Sequence, residues 1–155
     1  MAGYEFVTIW RIEATLPEIW DAIYHSECWP EWWRGLQSVC ELEKGSDRGV
    51  GNLRRYSWQG ALPYQLTFDI RTTCVEHLHL IEGTAAGDLA GSGTWRFAEE
   101  EGLTVVRCEW RVRTTKFWMN FLAPVARPLF RWNHDKIMRW GETGLARRLG
   151  ARIGC

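Results

Sequence analysis

Apolar and polar residues alternate with a period of two through much of this 155-residue chain, and this alternation constrains the fold more than any other feature. The clearest run is "LTVVRCEWRVRTT", whose more apolar parity comprises Thr104, Val106, Cys108, Trp110, Val112 and Thr114. Such alternation predicts a strand with one buried face, because successive side chains point to opposite sides. Similar runs at 4–14 and 64–72, with glycine-rich breaks between the runs, predict an antiparallel meander with one solvated face.

A short helical pattern, "TLPEIWDAIY", follows the first of these strands. It places Ile19, Trp20 and Ile23 on one face, and Thr15 or the turn after it is expected to begin the helix. Pro30 then limits the next stretch, "CWPEWW", to a short second helix or a turn.

From Lys116 to the C-terminus the apolar spacing is helical again. Pro124 and Pro128 are expected to interrupt this helix in its first half, and about twenty residues from Pro128 onward can run unbroken. The stripe expected to face the sheet consists of Phe130, Asn133, Ile137, Trp140 and Gly144. A buried amide at Asn133 needs a partner, which is another side chain, water or a ligand.

The predicted element order is one strand, two short helices, about six antiparallel strands and a long C-terminal helix, in a single α+β domain spanning 1–155. A sheet with one apolar face must be covered, and only the long helix is available to cover it. Because a twisted sheet and one helix do not close completely, we expect space between them.

Charge and cysteine usage exclude several classes of partner. Nineteen basic and nineteen acidic residues cancel, which argues against a nucleic-acid or anionic-membrane partner, although a locally basic face is compatible with this balance. No apolar run reaches the ~18 residues of an integral membrane segment, and no signal peptide is evident. The five cysteines include no CxxC pair, so we expect reduced thiols, mostly small apolar fillers, in a cytoplasmic protein.

No catalytic or metal-binding motif is evident, and no cofactor is predicted. The sequence has no GxSxG elbow, P-loop or GxGxxG. His134 and Asp135 are adjacent, but helical neighbours point about 100° apart, so structural roles are favoured and Asp135 is expected to pair with arginines on its own helix. His77 and His79 would share one strand face and could begin a metal site, but no third cluster of ligands is near them in sequence, so metal binding is not favoured.

Eleven tryptophans, spread from Trp10 to Trp140, must converge in three dimensions. They form either a bulky core or the wall of an apolar cavity, one end of which "WPEWW" is expected to close. Arg54 shares its parity with Tyr56 and Trp58, and an inward Arg54 would suit a carboxylate or enolate. The residues predicted to contact a ligand are Trp33, Arg54, Tyr56, Trp58, Tyr64, Phe68, Trp95, Trp110, Asn133, Ile137 and Trp140.

Several strings, taken in order, resemble the START-like (SRPBCC) superfamily, in its polyketide cyclase/dehydrase and lipid-transport branch. They are "IEATLPEIWDAI", "WPEWWRGLQSV", "DRGVGNLRRY", "GDLAGSGTWRF" and "RWNHDKIMRWGETGLARRL". The resemblance implies a helix-grip fold, in which a seven-stranded antiparallel sheet wraps around the C-terminal helix and a deep apolar cavity lies between them.

Fold alone does not decide the function. The resemblance and the aromatic residues favour binding, or binding and transport, of a small hydrophobic molecule, aromatic or polycyclic in character. The alternative is a polyketide aromatase/cyclase or dehydrase that acts on a ligand in the same cavity, so enzymatic activity is left open. A third reading is that the tryptophans only plug the fold and that no ligand is bound.

Overall fold

Seven antiparallel strands form one sheet in the computed structural model, which describes residues 3–154, with the backbone alone at 117–120 and 122–124. The strands are β1 Gly3–Ile12, β2 Leu36–Glu43, β3 Leu53–Trp58, β4 Leu66–Glu76, β5 Leu80–Gly87, β6 Leu89–Glu100 and β7 Leu103–Thr114. Their spatial order is β1-β7-β6-β5-β4-β3-β2, so the first strand pairs with the last one. Each of the other neighbours is consecutive in sequence, which makes the rest of the sheet a meander.

Two short helices follow β1, and one long helix ends the chain. Helix α1 spans Leu16–Tyr24, a 3-10 helix spans Ser26–Glu31, and α2 spans Phe117–Leu149. This is the helix-grip arrangement that the sequence predicted, with seven strands and a long C-terminal helix. No helix in the described ranges is long and apolar enough to span a membrane.

The period-two patterns give the correct strand faces. In β7, Thr104, Val106, Val112 and Thr114 are buried, as the alternation predicted. In β1, Trp10 and Ile12 are buried while Val7 and Ile9 are exposed. The alternation is reliable here because each of these strands has one face in the core and one in solvent.

The segment containing His77 and His79 is not one strand, so the predicted shared face does not exist. Strand β4 ends at Glu76, β5 begins at Leu80, and a turn joins them. Leu78 takes a left-handed backbone conformation at φ 66°, which a leucine rarely adopts. The turn has neither glycine nor proline, so the sequence carried no signal for it.

The predicted interruption of the C-terminal helix was wrong. The α2 backbone is helical from Phe117 to Leu149 and passes through both Pro124 and Pro128. Each proline removes only one donor from the hydrogen-bond ladder, and the rest of the ladder continues around it. Gly150, in the left-handed conformation, ends the helix, and its N–H donates back to the carbonyl oxygens of the last turn.

The four described cysteines are free thiols, and Cys155 lies outside the described residues. Cys28, Cys74 and Cys108 are partly buried. Cys40 is exposed on edge strand β2, so it is not the apolar filler that was expected.

Candidate functional site

A cavity of about 220 Å³ lies between the inner face of the sheet and α2. Its wall is mainly apolar and aromatic, with a few polar side chains, as is typical of sites for small organic ligands. The structure brings ten of the eleven predicted residues to this wall: Trp33, Arg54, Tyr56, Trp58, Tyr64, Phe68, Trp95, Trp110, Asn133 and Ile137. That they contact a ligand stays a prediction.

Trp140, the eleventh, does not line the cavity. The buried side of α2 shifts around the helix after Ile137, and Met138, Gly141 and Leu145 are the buried residues there. Trp140 therefore lies on the flank of the helix. The guanidinium carbon of Arg34 lies 4.4 Å from the centroid of its ring, in a cation–π contact.

Two tryptophans of "WPEWW" help to form the cavity wall, and each has its N–H satisfied. Trp29 Nε1 donates to the carbonyl oxygen of Ala22 at 3.0 Å, and Trp33 Nε1 donates to that of Ile137 at 2.9 Å. The Trp29 and Trp33 rings pack together with centroids 5.0 Å apart. Trp32 is only partly buried and is not part of the wall. The cluster thus joins the segment after α1 to helix α2.

A polar network on β3 and the 3-10 helix contributes to another part of the wall. Arg54 donates to Ser26 Oγ at 2.7 Å, and Ser26 Oγ lies 2.7 Å from Tyr56 Oη. The Arg54 guanidinium also lies 3.0 Å from a carboxylate oxygen of Glu27 and 3.3 Å from one of Glu41. Burial raises the pKa of the Tyr56 hydroxyl, while the Ser26 hydrogen bond and Arg54 oppose this rise. Arg54 faces the cavity, but two protein carboxylates already balance its charge.

Asn133 fastens the loop between β3 and β4 onto α2. Its Oδ1 accepts from the backbone N–H of Ala61 at 2.8 Å and of Leu62 at 3.3 Å. Its Nδ2 donates to Tyr64 Oη at 3.1 Å. A Cβ atom at Gly60 would collide with Asn133 Oδ1, so this contact requires glycine there. Of the partners that the sequence left open for Asn133, the structure shows internal ones.

His134 also reaches the cavity, beside β1. Its ring stacks on Phe6 with the centroids 3.7 Å apart. Burial lowers the pKa of His134 to about 4, and the Asp135 carboxylate, 3.5 Å from Nδ1, only partly opposes this. The imidazole is therefore neutral near pH 7 and can donate or accept a hydrogen bond. The partner of Asp135 in the structure is thus His134, whereas arginines of its own helix were predicted.

Cys108, the cysteine in the cavity wall, has an unreactive thiol near neutral pH. Burial raises the pKa of its thiol to about 12, and the Glu109 carboxylate adds to this rise. A thiol with such a pKa is protonated near neutral pH, whereas the nucleophile in cysteine chemistry is the thiolate. Within the described ranges, no group of three His, Cys, Asp or Glu side chains is arranged to hold a metal ion.

Several wall residues were absent from the sequence-based set, including Tyr4, Phe6, Ser26, Trp29, Cys108 and His134. Phe6 had a signal, because it shares the inward parity of Trp10 on β1. The sequence signal for His134 was weaker: it directly follows Asn133, which belongs to the stripe expected to face the sheet. Ser26 had none: it lies in the 3-10 helix, where no periodicity indicates direction.

The sequence of residues 12–139 matches the model of a family described as polyketide cyclase / dehydrase and lipid transport. The match covers most of the chain and includes β2 to β7 and the first two thirds of α2. No curated protein sequence matches the chain.

Several solved structures share the fold. A START superfamily protein from Mycobacterium smegmatis superposes with a TM-score of 0.74 at 13% identity, over 94% of this chain and 97% of that one. The aromatase/cyclase Zhui from Streptomyces sp. R1128 gives 0.73 at 12% identity, over 96% and 94% of the two chains. The di-domain ARO/CYC BexL from the BE-7585A biosynthetic pathway gives 0.73 at 22% identity, over 97% of this chain. The present chain spans about half of that protein, 51% of its length. At such identities the likeness shows the fold alone.

Proposed function

The chain belongs to the polyketide cyclase / dehydrase and lipid transport family, and on that premise we propose that it binds a small hydrophobic molecule, aromatic or polycyclic, in the cavity under α2. The assignment to the START-like superfamily, made from sequence strings, is confirmed by the family match and by the shared fold.

The observation that carries this proposal is the aromatic wall of the cavity. Trp29, Trp33, Trp58, Trp95 and Trp110 all face the same space. Aromatic rings bind flat apolar molecules through stacked and edge-to-face contacts, which are worth about 0.5–1.5 kcal/mol per pair beyond the burial of area. The volume, about 220 Å³, lies below the ~300–1,000 Å³ of typical drug-sized pockets, which supports a compact ligand.

Tryptophan fluorescence tests the proposal, because a ligand in this cavity would contact several indoles. The protein is titrated with a panel of naphthols, flavonoids, quinones, sterols and fatty acids, and native mass spectrometry is used to look for a co-purifying molecule. We expect a saturable change in emission with at least one aromatic class. Ile81 lines the cavity, so Ile81→Trp should fill it and abolish the response, whereas Val7→Trp, on the exposed face of β1, should not. A folded protein that responds to no class would refute the proposal.

A second candidate function is supported by the ionisable side chains that line the same cavity. Arg54, Tyr56, Tyr64 and His134 all reach its wall. A neutral imidazole can accept a proton from a carbon acid, and tyrosine hydroxyls can donate to the oxygen that gains charge. We propose as the alternative that the protein guides cyclisation or dehydration of a polyketide-like substrate. Incubation with a linear poly-β-ketone, followed by absorbance of an aromatic product, tests it. His134→Phe should then slow turnover without preventing ligand binding.

We also propose that residues 1–155 act as one ligand-binding domain in the cytoplasm. The pairing of β1 with β7 supports a single unit, because it joins the two ends of the sheet. The four described free thiols support a reducing compartment. Size-exclusion chromatography of a limited proteolysis digest tests the domain: release of a stable smaller core would contradict it.

A further inference from the structure

Tyr4 carries a buried hydroxyl that has no hydrogen-bond partner among the residues that the structure describes. The residue lies at the start of β1, is 4% exposed and forms part of the cavity wall. Tyr56 and Tyr64 in the same wall differ, since Ser26 and Asn133 bind their hydroxyls. A phenylalanine would provide the same ring at position 4 without the cost of an unpaired buried hydroxyl. The Tyr4 hydroxyl therefore calls for a partner that a bound molecule can supply.

Ring contacts hold the Tyr4 side chain in place. Its ring is nearly parallel to that of Phe6, with the centroids 5.7 Å apart, and the edge contact with Phe130 has a centroid distance of 6.2 Å. Phe6 is stacked in turn on His134, which fixes it against helix α2. The position of the hydroxyl is thus set before a ligand arrives, so a hydrogen bond to it costs little conformational entropy.

Two arginines of α2 lie over the Tyr4 ring. The guanidinium carbons of Arg127 and Arg131 are 4.6 Å and 5.9 Å from its centroid. Burial raises the pKa of the Tyr4 hydroxyl, and both arginines oppose this rise. The hydroxyl is protonated near neutral pH, and nearby positive charge stabilises the electron density that builds up on a phenol oxygen as it donates. Tyr4 is therefore better suited to donate a hydrogen bond to a ligand than to accept one.

Tyr4 does not belong to the polar network of Arg54. Arg54 is on β3, whereas Tyr4 is on β1, the edge strand at the other end of the sheet order. The tyrosine nearer to Tyr4 is Tyr64, which shares its edge contact with Phe130 at a centroid distance of 5.8 Å. The mainly apolar wall thus has a separate donor on its β1 side.

We propose that Tyr4 donates a hydrogen bond to an oxygen atom of the ligand, such as the carbonyl oxygen of an aromatic ketone or quinone. Tyr4 thereby selects oxygenated aromatic molecules over hydrocarbons of the same shape. Aromatic contacts alone do not make this distinction, because they depend on ring faces and buried area. A buried donor does make it, because a ligand without an acceptor leaves the donor unpaired. The inference rests on the proposed function, whose ligand class it narrows.

Two ligands of matched shape test this role. 2-Acetylnaphthalene carries a ketone oxygen, and 2-isopropenylnaphthalene has a CH₂ group in its place. Equilibrium dialysis measures the Kd of each for the wild type and for Tyr4→Phe. We expect Tyr4→Phe to weaken ketone binding about fivefold and to change alkene binding by less than about twofold, because phenylalanine removes only the donor. In infrared difference spectra, the C=O stretch of the bound ketone should lie at lower wavenumber in the wild type than in Tyr4→Phe.

The stability of Tyr4→Phe is the control for folding. Its Tm should be unchanged or raised, because no described protein group loses a hydrogen bond, and a lowered Tm would reveal a protein partner and overturn the inference. An unshifted C=O stretch, equal changes in the Kd of both ligands, or no change in either would also overturn it, while the proposed function would stand because the wild type still binds. If the folded wild type binds neither ligand, the inference fails, and the fluorescence panel decides whether the proposed function fails with it.

Discussion

Replacing Asn133 by leucine should destabilise the fold, because this amide is the internal fastening between α2 and the β3–β4 loop. Asn133 is only 3% exposed, and its carbonyl oxygen accepts from two backbone N–H groups, those of Ala61 and Leu62. Its amide nitrogen donates to the hydroxyl of Tyr64. Asn133→Leu removes all three interactions and supplies no polar atom in their place.

The magnitude follows from what each stranded group loses. A buried donor without a partner costs about 1–3 kcal/mol. Loss of the 2.8 Å hydrogen bond from Ala61 should contribute this cost in full, and loss of the 3.3 Å bond from Leu62 only in part. The Tyr64 hydroxyl adds little, because it can turn to another partner. Burial of the apolar leucine side chain offsets about 1 kcal/mol of this cost. We expect a net loss of about 2–3 kcal/mol in the free energy of unfolding, or about 5–10 °C in Tm for a chain of this size.

Chemical denaturation and hydrogen exchange together measure the effect. The amide hydrogens of Ala61 and Leu62 should exchange faster in Asn133→Leu than in the wild type, because their acceptor is gone. Tyr64→Phe is the matched partial variant, since of the three Asn133 hydrogen bonds it removes the one from Nδ2, and it should cost about 1 kcal/mol. The two changes share one bond, so the double variant should cost less than the sum of the single ones. Unchanged or raised stability in Asn133→Leu, together with weaker ligand binding, would refute the fastening role and make the amide a ligand contact.

Three further predictions concern His134, Gly141 and metal ions. Burial depresses the pKa of His134 from about 6.5 in the unfolded chain to about 4 in the folded one, so between these values only the unfolded chain binds the proton. The free energy of unfolding should therefore fall by up to about 3 kcal/mol as the pH drops from 6.5 to 4. In denaturation curves measured across this pH range, His134→Phe should abolish that part of the pH dependence. In Gly141→Ala the new Cβ would lie 2.6 Å from the Trp33 ring and 2.7 Å from the Trp10 ring, so calorimetry should record a loss of about 1–3 kcal/mol; an unaffected Tm would mean that the two indoles can move aside. EDTA should leave Tm unchanged, since the histidine and cysteine spacing provides no closed ligand set, and a lowered Tm would reveal a metal site.

The strands predicted best from the sequence are those with one solvent-exposed face. In β7 every second residue from Thr104 to Thr114 faces inward, and the alternate residues from Arg107 to Arg113 are all charged. The turn at 77–79 was missed for the opposite reason. Its conformation is set by the pairing of β4 with β5, and Leu78 is placed in a backbone region that its own side chain disfavours. The strand pairing of this hairpin overrides the local backbone preference of Leu78.

Six of the predicted site residues lie on strands and reach the cavity wall because strand parity determines the inward face of a sheet: Arg54, Tyr56, Trp58, Phe68, Trp95 and Trp110. Helix positions were harder to predict, since α2 does not keep one face toward the sheet along its length. Asn133, Ile137 and Met138 line the cavity, whereas Gly141 and Leu145, further along the helix, are buried outside it. A stripe extended at constant phase therefore includes Trp140, which is not part of the cavity wall. The partners of Asn133 were equally invisible, because the loop that carries them is distant in sequence.

The residues of α2 that line the cavity come before Gly141, where "WPEWW" packs against the helix. In the second half of α2, glycines replace side chains where "WPEWW" meets the helix: Trp33 packs over Gly141, and the backbone of Trp32 packs against Gly144. Close approach leaves no room there. Before these glycines, in the middle of α2, Phe130, Asn133 and Ile137 line the cavity. The cavity therefore lies under the middle of α2, from Phe130 to Met138, and ends where the two glycines let "WPEWW" pack closely against the helix.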